Sequence, residues 1–155
     1  MTLALLRSPG WEWALLFHVV GALLLIGGMT LVTVVAVRGT LAAGSERAIA
    51  LRRLGLRAML FLVIPSFLLT RISGEWVRSQ DAFPDDQAWI DIGYAVTEPG
   101  AIIIAAATLL AWRATRTADR TGTTTSLSGR LFAVLPALYL VALLVAVWAM
   151  TTKPA

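Results

Sequence analysis

Four apolar runs, each close to the length that crosses a lipid bilayer, recur along this chain. They lie at about residues 11–37, 48–72, 88–112 and 131–151. About 20 apolar residues in a helix cross the roughly 30 Å hydrocarbon core of a bilayer, because each residue adds about 1.5 Å. The runs therefore predict an all-α fold, an integral membrane bundle of four transmembrane helices in a single domain.

The composition agrees with a membrane protein. Of the 155 residues, 58% are hydrophobic and 14% are charged, whereas soluble domains carry roughly 25% charged residues. The formal charge of +4 comes mainly from arginines beside the apolar runs, where cytoplasmic loops explain it, so we do not expect nucleic-acid binding. The absence of cysteine excludes disulfides, cysteine-ligated metals and a thiol nucleophile.

The second and third runs are less regular than the others. Only residues 58–70 are free of charge in the second run, so the long arginine stems at its edges are expected to reach the interface. Pro65 lies inside this run and predicts a kink, which membrane helices tolerate. The third run is bounded by tryptophans, as aromatic belts at both interfaces predict. Glu98 and Pro99 interrupt its first half.

Arginine is concentrated in the first and third connections between the runs. The first connection carries Arg38, Arg47, Arg52, Arg53 and Arg57, and the third carries Arg113, Arg116, Arg120 and Arg130. The second connection has only Arg71 and Arg78 at its ends, among acidic residues. The positive-inside rule then predicts a multi-pass protein of the bacterial inner (plasma) membrane with both termini outside the cytoplasm.

Polar residues collect in the half of the bundle that this orientation places outside. His18, the single histidine, lies about 10 Å below the outer interface, counted from Trp11. Glu98 lies about 13–14 Å below the same interface, counted from Trp89. Arg71 enters the same leaflet, and Asp91 and Tyr94 follow the helical stripe of Glu98. These five are the candidate ligand-binding residues, because charged groups in spans usually face the bundle interior or a wet cavity. His18 and Glu98 are the candidate metal ligands.

Each of these residues also has a structural interpretation. His18 is equally well explained by a hydrogen bond between helices, and Glu98 by a buried ion pair with Arg71. Close helix packing is the expected role of three glycines in the first run, Gly21, Gly27 and Gly28.

The pairs Phe17-His18, Gly21-Ala22 and Gly27-Gly28 resemble the opening motif of the copper-resistance-D-like superfamily of small bacterial four-helix membrane proteins. The arginine-rich first connection, Trp89 and the closing "WAMTTKP" are similar to an uncharacterised branch of predicted integral membrane proteins. The resemblance implies a link with copper movement across the inner membrane.

A second relative in that superfamily is the bacterial membrane protoporphyrinogen oxidase, a haem-associated enzyme. Its motif pairs a first-helix histidine with a lysine in a later helix. His18 matches the first position, but the only lysine is Lys153 in the tail, so the second position is unmatched. The resemblance therefore does not imply the oxidase activity, and a non-enzymatic protein is favoured without excluding an enzyme.

Haem and copper are the two candidate cofactors for these residues. Six-coordinate haem takes two axial ligands, commonly His/His or His/Met, and Met29 lies about three turns from His18, too far to share its iron. A second chain or another methionine would have to supply the other ligand. Copper meets the same shortage, although Glu98 or Asp91 would complete a harder site. The sequence requires neither cofactor.

Three functions therefore remain open from the sequence. The leading one is a non-enzymatic membrane protein that binds or moves a small ligand or metal ion through the polar site. The others are a haem-binding redox protein with His18 as axial ligand and a small structural subunit of a larger membrane complex. The expected partners are the lipid bilayer and either further copies of the chain or that larger complex.

Overall fold

The computed structural model describes residues 10–80, 88–122 and 124–152. These contain helices α1 (Trp11–Leu41), α2 (Glu46–Arg78), α3 (Ala88–Thr121) and α4 (Leu127–Thr152). Each of the four is long and apolar enough to cross a membrane. The predicted fold class, an all-α bundle of four membrane-spanning helices, is confirmed.

The helices run further than the spans that the apolar runs predict. Helix α3 has 34 residues and is therefore about 51 Å long, well beyond the roughly 30 Å of the hydrocarbon core. It continues nine residues past the predicted end at Trp112 and carries its arginines with it. Charge marks where a helix leaves the hydrocarbon, but arginine and alanine are good helix formers and do not end the helix.

Helix α2 contains a wide turn where the sequence predicts a kink. Residues Met59–Val63 form a π-helical segment, and the Ile64 N–H bonds to the carbonyl of Met59, five residues earlier. Pro65 follows at once; it has no N–H to donate and its ring crowds the preceding turn. A π-bulge is one of the ways in which a helix absorbs such a disruption.

The four helices do not pack against one another evenly. Helix α1 packs along both α2 and α4, while α3 packs along α4 and the first half of α2. The second half of α2, Ile64–Arg78, follows α1 but scarcely touches α3. We call the end of the bundle where α1 begins and α4 ends the termini end, and the opposite end the basic end. The bundle is open between α2 and α3 at the termini end.

Two of the three glycines in α1 allow α2 to come close. A Cβ on Gly21 would lie 2.9 Å from the Thr70 nitrogen, and one on Gly28 would lie 3.1 Å from Leu62 Cγ. Gly27 differs from the expectation, since a Cβ there would meet nothing within 4 Å. Gly21 and Gly28 are two turns apart on one face, whereas Gly27 is rotated about 100° from Gly28 and faces away from the described helices.

A buried arginine joins the two connections at the basic end. Arg52 is 6% exposed, and its Nη2 donates to the carbonyl oxygen of Thr124. The Thr124 hydroxyl oxygen in turn accepts the Gly44 N–H at 2.6 Å. On the surface beside them, Arg53 Nη2 forms an ion pair with Asp119 at 2.7 Å. These contacts hold the connection between α1 and α2 against the one between α3 and α4.

Candidate functional site

A cavity of about 430 Å³ lies at the termini end, where α2 and α3 separate. All four helices line it. The packing explains its position, because the second half of α2 follows α1 and leaves the start of α3 to lean on α4. This volume is in the range of sites that hold small molecules, roughly 300–1,000 Å³. We call it the termini-end cavity.

His18 lines this cavity from α1 with one ring nitrogen already bonded. Its Nδ1 lies 3.0 Å from the carbonyl oxygen of Thr70 on α2, and the ring rests on Gly74, where a Cβ would lie 3.2 Å from Nδ1. A carbonyl oxygen only accepts, so Nδ1 carries the hydrogen and donates it. In the neutral ring, Nε2 then keeps its lone pair for an N–H donor or a metal.

Arg71 and Tyr94 form a second polar group across the cavity. Arg71 makes an ion pair with Glu75, one turn along α2. The Tyr94 hydroxyl donates to the same carboxylate at 2.8 Å. The guanidinium carbons of Arg71 and Arg78 each lie 5.0 Å from the centre of the Tyr94 ring, a distance at which cations are attracted to the ring face. This network fixes the ring of Tyr94 between two cations.

Most of the remaining lining is apolar or aromatic. It consists of Trp11, Leu15, Val19, Val77, Trp89, Ile90, Gly93 and Met150, with the hydroxyls of Thr70, Thr97 and Thr151. Among all the described residues that line the cavity, the charged groups are the guanidinium groups of Arg71 and Arg78. A large apolar surface with a few polar groups on one side is the usual chemistry of a small-molecule site.

The structure brings three of the five predicted site residues together. His18, Arg71 and Tyr94 line the termini-end cavity. Asp91 and Glu98 do not line it and are exposed on the face of α3 that points away from the bundle. The expected partnership of Glu98 with Arg71 is replaced by the pair Arg71–Glu75, because Glu75 is one turn away on the same helix.

Several residues of the site were missed by the sequence analysis. Glu75, which pairs with Arg71, and Arg78, which lines the cavity, follow Arg71 by four and seven residues. These spacings put side chains on one helical face, so this signal was readable. Met150 lines the same cavity as His18, but the two residues are far apart in the sequence. Their proximity arises because the end of α4 lies beside the start of α1, and hydrophobic periodicity does not reveal which helices are neighbours.

The described residues offer few ligands for a bare metal ion. They contain no group of three or more histidine, cysteine, aspartate or glutamate side chains placed to hold one. His18 lines the cavity and Glu98 does not, so the two candidate metal ligands are not brought together there. Met150, whose side chain carries a thioether, lines the same cavity as His18.

Comparison of the chain with protein-family models, with curated proteins and with solved structures finds no match. The function must therefore be argued from the cavity and its residues.

Proposed function

We propose that this membrane protein binds a small amphipathic ligand in the termini-end cavity. The observation that carries the proposal is the convergence of His18, Arg71 and Tyr94, from three different helices, on one cavity of about 430 Å³. Intramembrane ionisable groups are rare, and those that line a cavity commonly mark a ligand or ion path. The protein in this role is a binding or transport protein and not an enzyme.

The lining indicates the chemistry of the ligand. Two guanidinium groups and the Tyr94 ring edge favour an acidic or electron-rich head group. No carboxylate is among the described lining residues, and Glu75, which pairs with Arg71, lies outside the lining. His18 Nε2 accepts one hydrogen bond from that head group. The apolar walls, which include Trp89 and Ile90, suit a short hydrocarbon or aromatic body. An amphiphile of this kind would enter from the bilayer through the gap between α2 and α3.

The orientation of the bundle belongs to the same proposal. The positive-inside rule assigns the arginine-rich basic end to the cytoplasm. The termini-end cavity then opens towards the outer leaflet of the inner membrane. A ligand held there would be taken from, or delivered to, the outside of the cell.

Two threonines of α3 provide a matched test. The Thr97 hydroxyl donates to the Gly93 carbonyl at 2.9 Å, and the Thr108 hydroxyl donates to the Ile104 carbonyl at 2.7 Å. Both residues therefore have the same local role, but only Thr97 lines the cavity. Thr97→Trp should fill the cavity, while Thr108→Trp should leave it open.

The assay is mass spectrometry of the small molecules extracted from protein purified in a mild detergent. The parent and Thr108→Trp should carry the same compound in proportion to protein, and Thr97→Trp should lack it. The proposal fails if Thr97→Trp retains the compound or if nothing small is extracted from the parent.

A second candidate is a haem or soft-metal protein, and one observation favours it. The Nδ1 hydrogen bond of His18 to a backbone carbonyl is the arrangement that fixes metal-ligating histidines. Met150, on the same cavity, supplies the thioether of a His/Met donor pair. A redox centre or bound copper would accord with the copper-resistance-D-like proteins that the first span resembles.

Visible absorption and elemental analysis of the purified protein separate the two candidates. A Soret band, or copper in proportion to chain, that is lost in both His18→Ala and Met150→Leu would establish the second candidate. A colourless, metal-free protein that still yields an organic ligand would contradict it.

A further inference from the structure

A second concavity lies at the basic end, on the opposite side of the membrane from the termini-end cavity. It is an open groove of about 510 Å³ between the last turns of α3 and the first turns of α4. Its polar wall carries Arg113, Arg116 and Arg120. These residues follow one another at spacings of three and four, so they lie along one face of α3. We call this concavity the arginine groove.

The arrangement of charge in the groove is one-sided. Among the described residues that line it there is no carboxylate. Asp119 lies in the same stretch of α3, but it is outside the lining and is paired with Arg53 of α2. Asp119 is therefore engaged with α2, and the three arginines that line the groove form no ion pair in the described structure.

The other wall of the groove is apolar. Leu110, Leu127 and Leu131 line it next to the arginines. Trp112 ends the stretch of α3 that is free of charge, which begins after Glu98, and the Arg116 guanidinium carbon lies 5.0 Å from the centre of its ring. Tryptophan and arginine at the end of an apolar span mark the membrane interface. The groove therefore crosses from the head-group layer into the hydrocarbon.

We infer that the arginine groove binds an anionic phospholipid. The three guanidinium groups match a phosphodiester and a second anionic or hydroxyl-bearing head group, since guanidinium binds phosphate oxygens through paired hydrogen bonds. The leucines match the first part of an acyl chain. A basic pocket between membrane helices is a recognised site for anionic head groups, and this inference does not depend on the ligand of the termini-end cavity.

Native mass spectrometry in a neutral detergent tests the inference, because no charged bilayer surface is then present. The full-length protein is titrated with phosphatidylglycerol and, separately, with phosphatidylcholine of the same acyl chains. The expected result is a clear preference for phosphatidylglycerol. Removing an arginine should weaken binding by about fivefold, and removing all three by about a hundredfold, if each arginine forms one exposed ion pair with the head group at the upper end of the usual strength.

The matched control removes three arginines at the same end of the bundle that lie outside the groove, Arg47, Arg57 and Arg130. The triple variants Arg113→Gln/Arg116→Gln/Arg120→Gln and Arg47→Gln/Arg57→Gln/Arg130→Gln lose the same charge. The groove variant should lose the preference and the control should keep it. Equal loss in both, or no preference in the parent, would overturn the inference.

Two further measurements close the remaining alternatives. The single variants, each altering one exposed arginine, report the same trend if the triple variant does not fold. Inorganic phosphate at millimolar concentration should not displace phosphatidylglycerol, because it has no chain to lie on the leucines. Displacement at that concentration would show a site for free phosphate and would overturn the lipid assignment.

Discussion

The replacement of Gly21 by alanine tests the seam that joins α1 to α2. A Cβ at this position would lie 2.7 Å from Thr70 Oγ1 and 2.9 Å from the Thr70 nitrogen. Ordinary contact begins at 3.4 Å, so the helices must separate by about 0.5 Å, a backbone shift of the kind that overpacking forces. The contact is with backbone, so a side-chain rotation does not relieve it.

The same shift reaches the binding site. His18 is one turn from Gly21, and its hydrogen bond is to the carbonyl of the same Thr70, at 3.0 Å. Moving α1 away by about 0.5 Å lengthens the distance from Nδ1 to this oxygen to about 3.5 Å, beyond the usual range of a hydrogen bond. Overpacking costs about 1–3 kcal/mol, and the lost hydrogen bond about 1 kcal/mol. Gly21→Ala should therefore lose roughly 2–4 kcal/mol relative to a glycine replacement without these contacts.

Gly27 provides that reference. It lies in the same helix and a Cβ there would meet nothing within 4 Å, so Gly27→Ala carries the same gain in helix propensity without the clash. Unfolding by sodium dodecyl sulfate in mixed micelles, followed by circular dichroism, measures the difference between the two variants. Because His18 is the single histidine, its imidazole signals in the nuclear magnetic resonance spectrum report the hydrogen bond directly. Equal stability of the two variants, with His18 signals unchanged in Gly21→Ala, would refute the reasoning.

Three further predictions concern polar groups elsewhere in the bundle. The Tyr139 hydroxyl is buried without a hydrogen-bond partner in the described structure, so Tyr139→Phe should raise the free energy of unfolding by about 1 kcal/mol; a fall on the same detergent titration would show a missed partner. Arg52→Gln should lose about 2 kcal/mol of unfolding free energy, because it removes a charged donor to the Thr124 carbonyl. Trypsin should then cut faster than in the parent after Arg120 and Arg130, the basic residues that flank the connection between α3 and α4; an unchanged rate would contradict this. Glu75→Gln removes the carboxylate paired with Arg71 and should tighten the binding of octanoate several-fold by calorimetry, whereas weaker binding would show that the pair itself holds the site.

The membrane fold was predictable from the sequence because hydrophobic length is a direct physical requirement of the bilayer. The helix ends were not predictable from the sequence. Arginine marks where a helix leaves the hydrocarbon core but does not end the helix, and α3 continues to Thr121. The wide turn at Met59–Val63 was anticipated only as an irregularity caused by Pro65. Proline predicts that the hydrogen-bond ladder is broken but does not determine how the helix repairs it.

The candidate site was predictable in part for a similar reason. Depth along a helix follows from counting residues, and this placed His18 and Arg71 in the same half of the bundle. Rotation about the helix axis decides which side chains face inward, and it depends on packing. Helix α3 turns Tyr94 towards the cavity and exposes Asp91 and Glu98, so the charged residues that drew attention in the sequence lie outside it.

Cysteine labelling tests the central claim most directly, because the chain has no cysteine of its own. Thr97→Cys and Thr108→Cys are each placed in nanodiscs and treated with a water-soluble thiol reagent. An open, water-accessible cavity at the termini end predicts rapid labelling at position 97, slowed by the extracted ligand, and little labelling at position 108. Equal rates at the two positions, or faster labelling at 108, would contradict the account.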